Sequence, residues 1–389
     1  LTFECTPSFS LFLQRQKRVI QMKQTTLKVE QSLQVAFVAG ATGFVGRFLI
    51  AELLQQGHQV FALLRNKAQQ QRQLEDWLRN RNINLERFQC VQGDVTQVDL
   101  GIESSTWEQL QQVNTLYNSS ALFAWDLSMR HARKVNVEGA LNLLSSLNKY
   151  CKLERAIHVS GYMLTIHSHL QQAGICLDQP ETTDWNRVYQ QLGAYEASKI
   201  EAHYAWMRLA EELKIDWTII HPATVVGDAL TGEIPDNQPI AQMVDLLKRK
   251  KMGAIPATPQ HYLPLVTVDY LVKVMVLAAT ENSLAQRELL VAHQQRFVLA
   301  EMFNIIATQV NQQAPTRYVP LAVLRVILKW KWLAQKLEMS KEMLDFIRTE
   351  PLNTTSLAQL IQKWNIHETD LKLALEKTSR WVGQQPKSA

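Results

Sequence analysis

Two groups of residues in this 389-residue sequence have types and spacing that suit chemistry. The first is Tyr195 and Lys199, within Gly193-Ala194-Tyr195-Glu196-Ala197-Ser198-Lys199-Ile200. Four positions apart, they share one face of a helix if the segment is helical. A phenol titrates near ~10 in water, so it exchanges protons poorly at neutral pH until a nearby cation favours its phenolate. Lys199 can supply that charge, which makes the pair a candidate for proton transfer. A tyrosine and a lysine at this distance also occur often on ordinary helices.

The second group is Val38-Ala39-Gly40-Ala41-Thr42-Gly43-Phe44-Val45-Gly46, with a glycine at every third position where a strand runs into a helix. Gly40 permits the tight turn, Gly43 lets the backbone approach a diphosphate, and Gly46 lets the helix pack close to the sheet. Free N–H groups at the helix start, from Thr42 to Gly46, attract the phosphate charge. At the end of the second strand an acidic residue would accept the ribose 2′-hydroxyl of NAD, but Val60-Phe61-Ala62-Leu63-Leu64 runs into Arg65-Asn66-Lys67. A guanidinium there suits a 2′-phosphate, so the expected cofactor is NADP(H) rather than NAD(H). The alternative is that Arg65 and Lys67 form a solvated turn. Asp94, in Gly93-Asp94-Val95, could accept from an adenine amino group; alone, the tripeptide means only a turn.

The elements that carry these groups follow from periodicity. From Val35 short β-rich apolar runs alternate with helical periods, which indicates a parallel sheet covered on both faces. The expected strands are Gln34 to Ala39, Gln59 to Leu64, Phe88 to Gln92, Thr115 to Asn118, Arg155 to Ser160 and Asp216 to His221. Val45, Phe48, Leu49 and Leu53 fall on one side of the intervening helix and would pack on the sheet. The fold class is therefore α/β, a doubly wound parallel sheet. Beyond Pro222 comes a Gly/Pro-bearing stretch from Gly227 to Pro239 and then mostly helical sequence, a smaller lobe over the carboxyl ends of the strands. Asp269 to Ala279 reads as a helix returning to the nucleotide domain. The division expected is 34–230 with 265–296 for dinucleotide binding, 231–264 and 297–383 for a substrate lobe, and 384–389 for a tail. Residues 1–33 read as a disordered extension, with Met22 a possible true start.

Composition constrains the partners. With 46% hydrophobic and 20% charged residues and no apolar run of the ~18 to 20 residues a membrane span needs, no integral span is expected. The net charge of +5 is dispersed and gives no reason to expect nucleic acid. Cys5, Cys90, Cys151 and Cys176 lie far apart, which suggests neither zinc nor disulfides and fits a cytoplasmic protein. His167-Ser168-His169 has no acidic or cysteine partner at ligand spacing, so no metal is expected.

In chain order, residues from Val35 to about Ala279 resemble the extended short-chain dehydrogenase/reductase family, whose nucleotide domain is a Rossmann fold. Gly40, Gly43 and Gly46 match its dinucleotide loop, and Gly93-Asp94-Val95 its adenine contact. Asn136 in Val135-Asn136-Val137-Glu138-Gly139 matches the central-helix asparagine that holds the active-site geometry. Ser160 lies where the family carries a serine or threonine after the fifth strand. Tyr195 and Lys199 match Tyr-x-x-x-Lys, and His221-Pro222-Ala223-Thr224-Val225-Val226-Gly227 resembles the nicotinamide-side segment, bringing in Pro222, Thr224 and Val225. Two positions depart. Gly161 stands where many members have the second, substrate-contacting hydroxyl, so Ser160 would serve only if the strand end is shifted, and His221 replaces an arginine.

The resemblance implies an oxidoreductase moving hydride between NADP(H) and a carbonyl or alcohol, with Tyr195 as acid or base, Lys199 beside it, and Ser160 and Asn136 completing the catalytic set. Val319 to Leu337 interleaves Val323, Val326, Ile327, Trp330 and Leu333 with Arg325, Lys329, Lys331 and Lys336. This reads as a packed helix with snorkelling lysines, an apolar substrate channel or a membrane-surface segment, and it hints at a lipophilic or aromatic small-molecule substrate. The family also contains nucleotide-sugar epimerases, and a non-catalytic NADP sensor is the third alternative. Family members commonly pair through two helices, so a homodimer is open.

Overall fold

The computed structural model describes residues 33–122, 127–328, 330, 332, 338, 344 and 346–385. The expected disorder over residues 1–32, the tail from 386, and Lys329, Lys331, Leu333 and Lys336 lie outside the described residues.

Short apolar runs make the strands β1 (Val35–Ala39), β2 (Gln59–Leu64), β3 (Phe88–Gln92), β4 (Thr115–Asn118), β5 (Arg155–Val159) and β6 (Asp216–Pro222). Two short strands follow, β7 (Thr224–Val226) and β8 (Ile255–Pro256), then β9 (Leu265–Thr267), β10 (Arg287–Val291) and β11 (Tyr318–Val319). Seven of them form one parallel sheet in the order β10-β6-β5-β4-β1-β2-β3. Parallel strands buried on both faces need apolar residues at consecutive positions, as Ala36, Phe37, Val38 and Ala39 supply. The expected six strands are present within one residue at each end, and β10 is a seventh. Its edge position explains why Arg287-Glu288-Leu289-Leu290-Val291 opens with two exposed charged residues and escapes a pattern search. The strand order reverses between β1 and β4, and beyond their carboxyl ends such sheets bind ligands.

The helices that matter to the site are α1 (Phe44–Gln55), α2 (Lys67–Arg79), α3 (Gly139–Tyr150), α4 (Trp185–Leu192), α5 (Ala194–Glu212), α6 (Pro239–Lys248), α7 (Val268–Thr280), α8 (Leu299–Gln309), α9 (Thr355–Trp364) and α10 (Leu371–Gln384). One sheet face packs on α3 and α5 through Leu143, Leu144, Leu147 and Trp206. On the other, Phe48, Leu49 and Leu53 of α1 meet Leu271, Val274 and Met275 of α7. That apolar core runs on without a break into Ile240, Val244, Phe303, Ile306, Leu371 and Leu375 of α6, α8 and α10. Burying so many Leu, Ile and Phe side chains, at roughly 1.5–3 kcal/mol each, is what holds the later helices against the sheet.

Two polar contacts fix the later segments. Buried Glu281, just after α7, accepts from Lys363 (2.7 Å) and Trp364 (2.8 Å) at the end of α9 and from Ser283. Burial works against its charge, yet those hydrogen bonds hold its carboxyl down at about 2. At α10, Gly227 and Gly232 lie so close to the helix that an added Cβ would come within 2.4 Å of Thr378 Oγ1 and 2.3 Å of the Lys377 carbonyl oxygen. Gly232 also has φ +80°, and Lys377 Nζ donates to Ala229 O at 3.0 Å.

Candidate active site

Gly193, with φ +82°, ends α4 and starts α5, a backbone conformation that favours glycine. It sets Tyr195 in the first turn of α5 and Lys199 one turn on. Lys199 is buried, and its Nζ donates to the carbonyl oxygen of Val159, the last residue of β5, at 2.7 Å. Burial brings its pKa down to about 8. Burial, and then the neighbouring Glu196 carboxylate, push the Tyr195 phenol up to about 12.

Asn136 lies in a π-helical turn, Arg133–Glu138, that widens the helix ahead of α3. Its Nδ2 donates to Ser198 Oγ at 2.9 Å and its Oδ1 accepts from the Leu122 amide at 2.7 Å. Ser198 in turn donates to the Tyr195 carbonyl oxygen at 2.8 Å. A second tie crosses nearby, since Glu201 accepts from Arg133 (2.6 Å) and from the Tyr189 hydroxyl (2.8 Å). Sequence reading missed Ser198 and Glu201. Ser198 lies within the quoted Tyr-x-x-x-Lys stretch, but only the packing of α5 on the π-turn gives it a partner.

Ser160 continues the pairing of β5 with β6 through its amide to Ile220 O (2.8 Å), and its buried Oγ has no hydrogen-bond partner among the described residues. At Gly161 an added Cβ would meet Met163 Sδ at 2.6 Å, so a thioether fills the space beside it. His221 Nδ1 donates to Gly161 O at 3.0 Å, and its Nε2 lies 2.7 Å from Glu288 Oε2 of β10.

The glycine turn fits a dinucleotide diphosphate. Gly40 has φ +80°, and its added Cβ would lie 2.7 Å from the Ser119 backbone; one on Gly46 would lie 2.1 Å from Gly40 O. Gly43 caps α1 without a side-chain hydrogen bond and its own N–H donates to Gly40 O, which leaves the N–H groups from Phe44 on for a ligand. Thr42 and Gly43 are exposed at the tip; Phe44 is turned into the core and Val45 is half-buried, so these two offer backbone rather than side chain. Arg65 is exposed, and its carbonyl is held by Gln92 Nε2 at 2.8 Å. Asp94 Oδ1 accepts from the amide and hydroxyl of Thr96, both at 2.8 Å, and Val95 O accepts from Asn142 of α3. Pro222 ends β6, and buried Thr224 with half-buried Val225 starts the pairing of β7 with β9.

The family model described as male sterility protein, an NAD-binding model, matches residues 38–275, well over half the chain. The chain belongs to that family, within the extended short-chain dehydrogenases/reductases. A putative dihydroflavonol 4-reductase of Synechocystis sp. is 30% identical over 205 residues, 51% of this chain and 52% of that protein, so the chain spans about half its length. Among solved structures, the terminal R domain from the myxalamid PKS-NRPS biosynthetic pathway superposes with a TM-score of 0.68 at 18% identity, covering 91% of each chain. Gre2 from Candida albicans, in complex with NADPH, gives 0.63 at 16% identity, covering 90% of this chain and 100% of that one. At these identities the structures establish the fold. Among the described residues no helix is long and apolar enough to cross a membrane.

Proposed function

We propose that this chain is an NADP(H)-dependent oxidoreductase that interconverts a carbonyl and its alcohol, with Tyr195 carrying the proton. When bound, the nicotinamide supplies or takes up the hydride at the carbonyl carbon. The N–H groups at the start of α1 hold the diphosphate, and Arg65 faces the 2′-phosphate. In reduction the Tyr195 hydroxyl gives its proton to the carbonyl oxygen; in oxidation the phenolate takes it from the alcohol. The Lys199 ammonium favours that phenolate, and the unpartnered Ser160 Oγ offers a hydrogen bond to the reacting oxygen. Asn136 acts as a positioning residue through Ser198.

One observation carries this reading: Tyr195 and Lys199 lie one turn apart on α5, and the amine is anchored on Val159 O beside the orphan hydroxyl of Ser160. A lipophilic or aromatic substrate is favoured by the dihydroflavonol reductase relative and by the exposed side chains of Val323, Val326 and Trp330. The test is NADPH oxidation against a panel of aromatic and long-chain aldehydes and ketones, with NADH in parallel. Turnover with NADPH, and a loss of NADPH preference in Arg65→Ala, are expected. Isomerised product without net oxidation, or binding without turnover, would reject the proposal.

A further inference from the structure

His203, His221 and Glu288 come from α5, β6 and β10, and one side-chain ligand atom from each lies within 4.8 Å of the others. The hydrogen bonds around His221 set a constraint. The Gly161 carbonyl can only accept, so the Nδ1 that meets it at 3.0 Å carries the ring hydrogen. In the neutral ring Nε2 is then a bare lone pair, yet it faces a carboxylate oxygen of Glu288 at 2.7 Å. Two acceptors at that distance need a positive species between them, a proton or a metal ion.

His203 tells between the two. It is 2% exposed, its Nε2 stands 3.7 Å from Glu288 Oε1, too far for a hydrogen bond, and its Nδ1 has no partner among the described residues. A proton shared by His221 and Glu288 leaves this second buried imidazole unexplained. An ion held by all three uses it. We propose that His203, His221 and Glu288 form a binding site for a divalent first-row transition metal, zinc being the probe, with its remaining coordination positions open to the adjoining cavity.

The donor set is two imidazoles and a carboxylate, which zinc accepts with a water or other oxygen ligand in the remaining position. Ligand atoms ~2.0–2.2 Å from a tetrahedral ion sit roughly 3.3–3.5 Å apart. The 3.7 Å separation, to Glu288 Oε1, is near that spacing; the 2.7 Å one, from His221 to Oε2, must open by roughly 0.6–0.8 Å on metal binding, which the part-exposed Glu288 allows. The bond from His221 to Gly161 O supplies the outer contact that orients a ligating ring. All three side chains line a cavity of about 860 Å³, together with Tyr204, His167 and Arg348, which gives an ion an entry path and an oxygen ligand room to bind.

Tag-free protein, stripped with a chelator, would be titrated with Zn2+ by calorimetry and with Co2+ by visible absorption. One equivalent is expected, with the intense d–d bands of low-coordinate Co2+. His203→Ala and Glu288→Gln should each weaken binding by about ten-fold or more while NADPH binding persists. Should His203→Ala fail to fold, Glu288→Gln, at a part-exposed position, decides alone. No saturable binding, or binding of unchanged strength in Glu288→Gln, overturns the proposal.

Discussion

The amine of Lys199 donates to the carbonyl oxygen of Val159 at 2.7 Å and so fastens the second turn of α5 to the carboxyl end of β5. The bond consumes one of three ammonium donors, and the proposed function assigns the others to the phenol and a cofactor hydroxyl. It also keeps the amine in a buried setting where its charge is lost unusually early.

A pH limit follows from that setting. In the proposed reduction Tyr195 must hold its proton and Lys199 its charge. With Lys199 titrating at about 8, the rate should hold near neutrality and fall as pH rises through about 8. Lys199→Arg keeps the cation at all accessible pH. A kcat/KM profile in which the alkaline limb stays at the same pH in Lys199→Arg would remove Lys199 from the reaction.

Replacing Tyr195 with Phe deletes the proposed proton carrier and little volume. Turnover should drop by about 10²- to 10⁴-fold. NADPH affinity, read by fluorescence, should remain within a few-fold of the parent. Retention of most of the activity would exclude the assigned role.

Asn136→Ala strips the Leu122 amide of its acceptor and Ser198 of its donor. Leaving a buried donor unsatisfied costs about 1–3 kcal/mol, so the urea midpoint should fall. Because α5 loses one of its two ties to the π-turn, the other being Arg133 to Glu201, kcat should fall more than the affinity for NADPH. Asn136→Asp, which retains the acceptor alone, should recover stability ahead of rate.

Gly46→Ala sets a methyl 2.1 Å from Gly40 O, a backbone atom that cannot swing aside. The start of α1 must lift from the turn, and NADPH binding should weaken by more than ten-fold, about 1.4 kcal/mol or more. Gly253→Ala is the control, since nothing lies within 4 Å of the added atom.

Acid should unfold this protein early. Burial depresses the His203 pKa to about 3 and the His293 pKa to about 4, both below the ~6.5 of an unfolded histidine. The unfolded chain therefore binds more protons between those values, and the stability these groups lend, present above ~6.5, is lost as pH falls toward 4 and 3. Each contributes a slope of at most about 1.4 kcal/mol per pH unit. His293→Gln should flatten the fall in melting temperature between pH 6.5 and 4; an unchanged slope would count against a neutral buried ring.

Most of the sheet was legible because its central strands are apolar at consecutive positions, and the glycine turn because a strand and a helix must meet there. β10 was not, because an edge strand can keep Arg287 and Glu288 in solvent. Tyr195 and Lys199 could be paired by their spacing, since helix geometry is local. The tie of Asn136 to Ser198 and the approach of His203, His221 and Glu288 join elements distant in the chain, and no local pattern encodes them. His167-Ser168-His169 drew notice as neighbours in sequence with no acidic partner at ligand spacing; the fold gives His169 the Glu196 carboxylate at 2.6 Å, whereas the two histidines gathered around Glu288 belong to α5 and β6.

The close seating of α10 on Gly227 and Gly232 makes the last described helix a wall for the loop that leaves β7. Proteolytic trimming ahead of Leu371 would therefore bare two glycines, unseat Ala229 from Lys377 and loosen the segment beyond Thr224–Val226. Damage at α10 would then be felt at the strand that follows β6, with every residue of the Tyr195–Lys199 helix still intact.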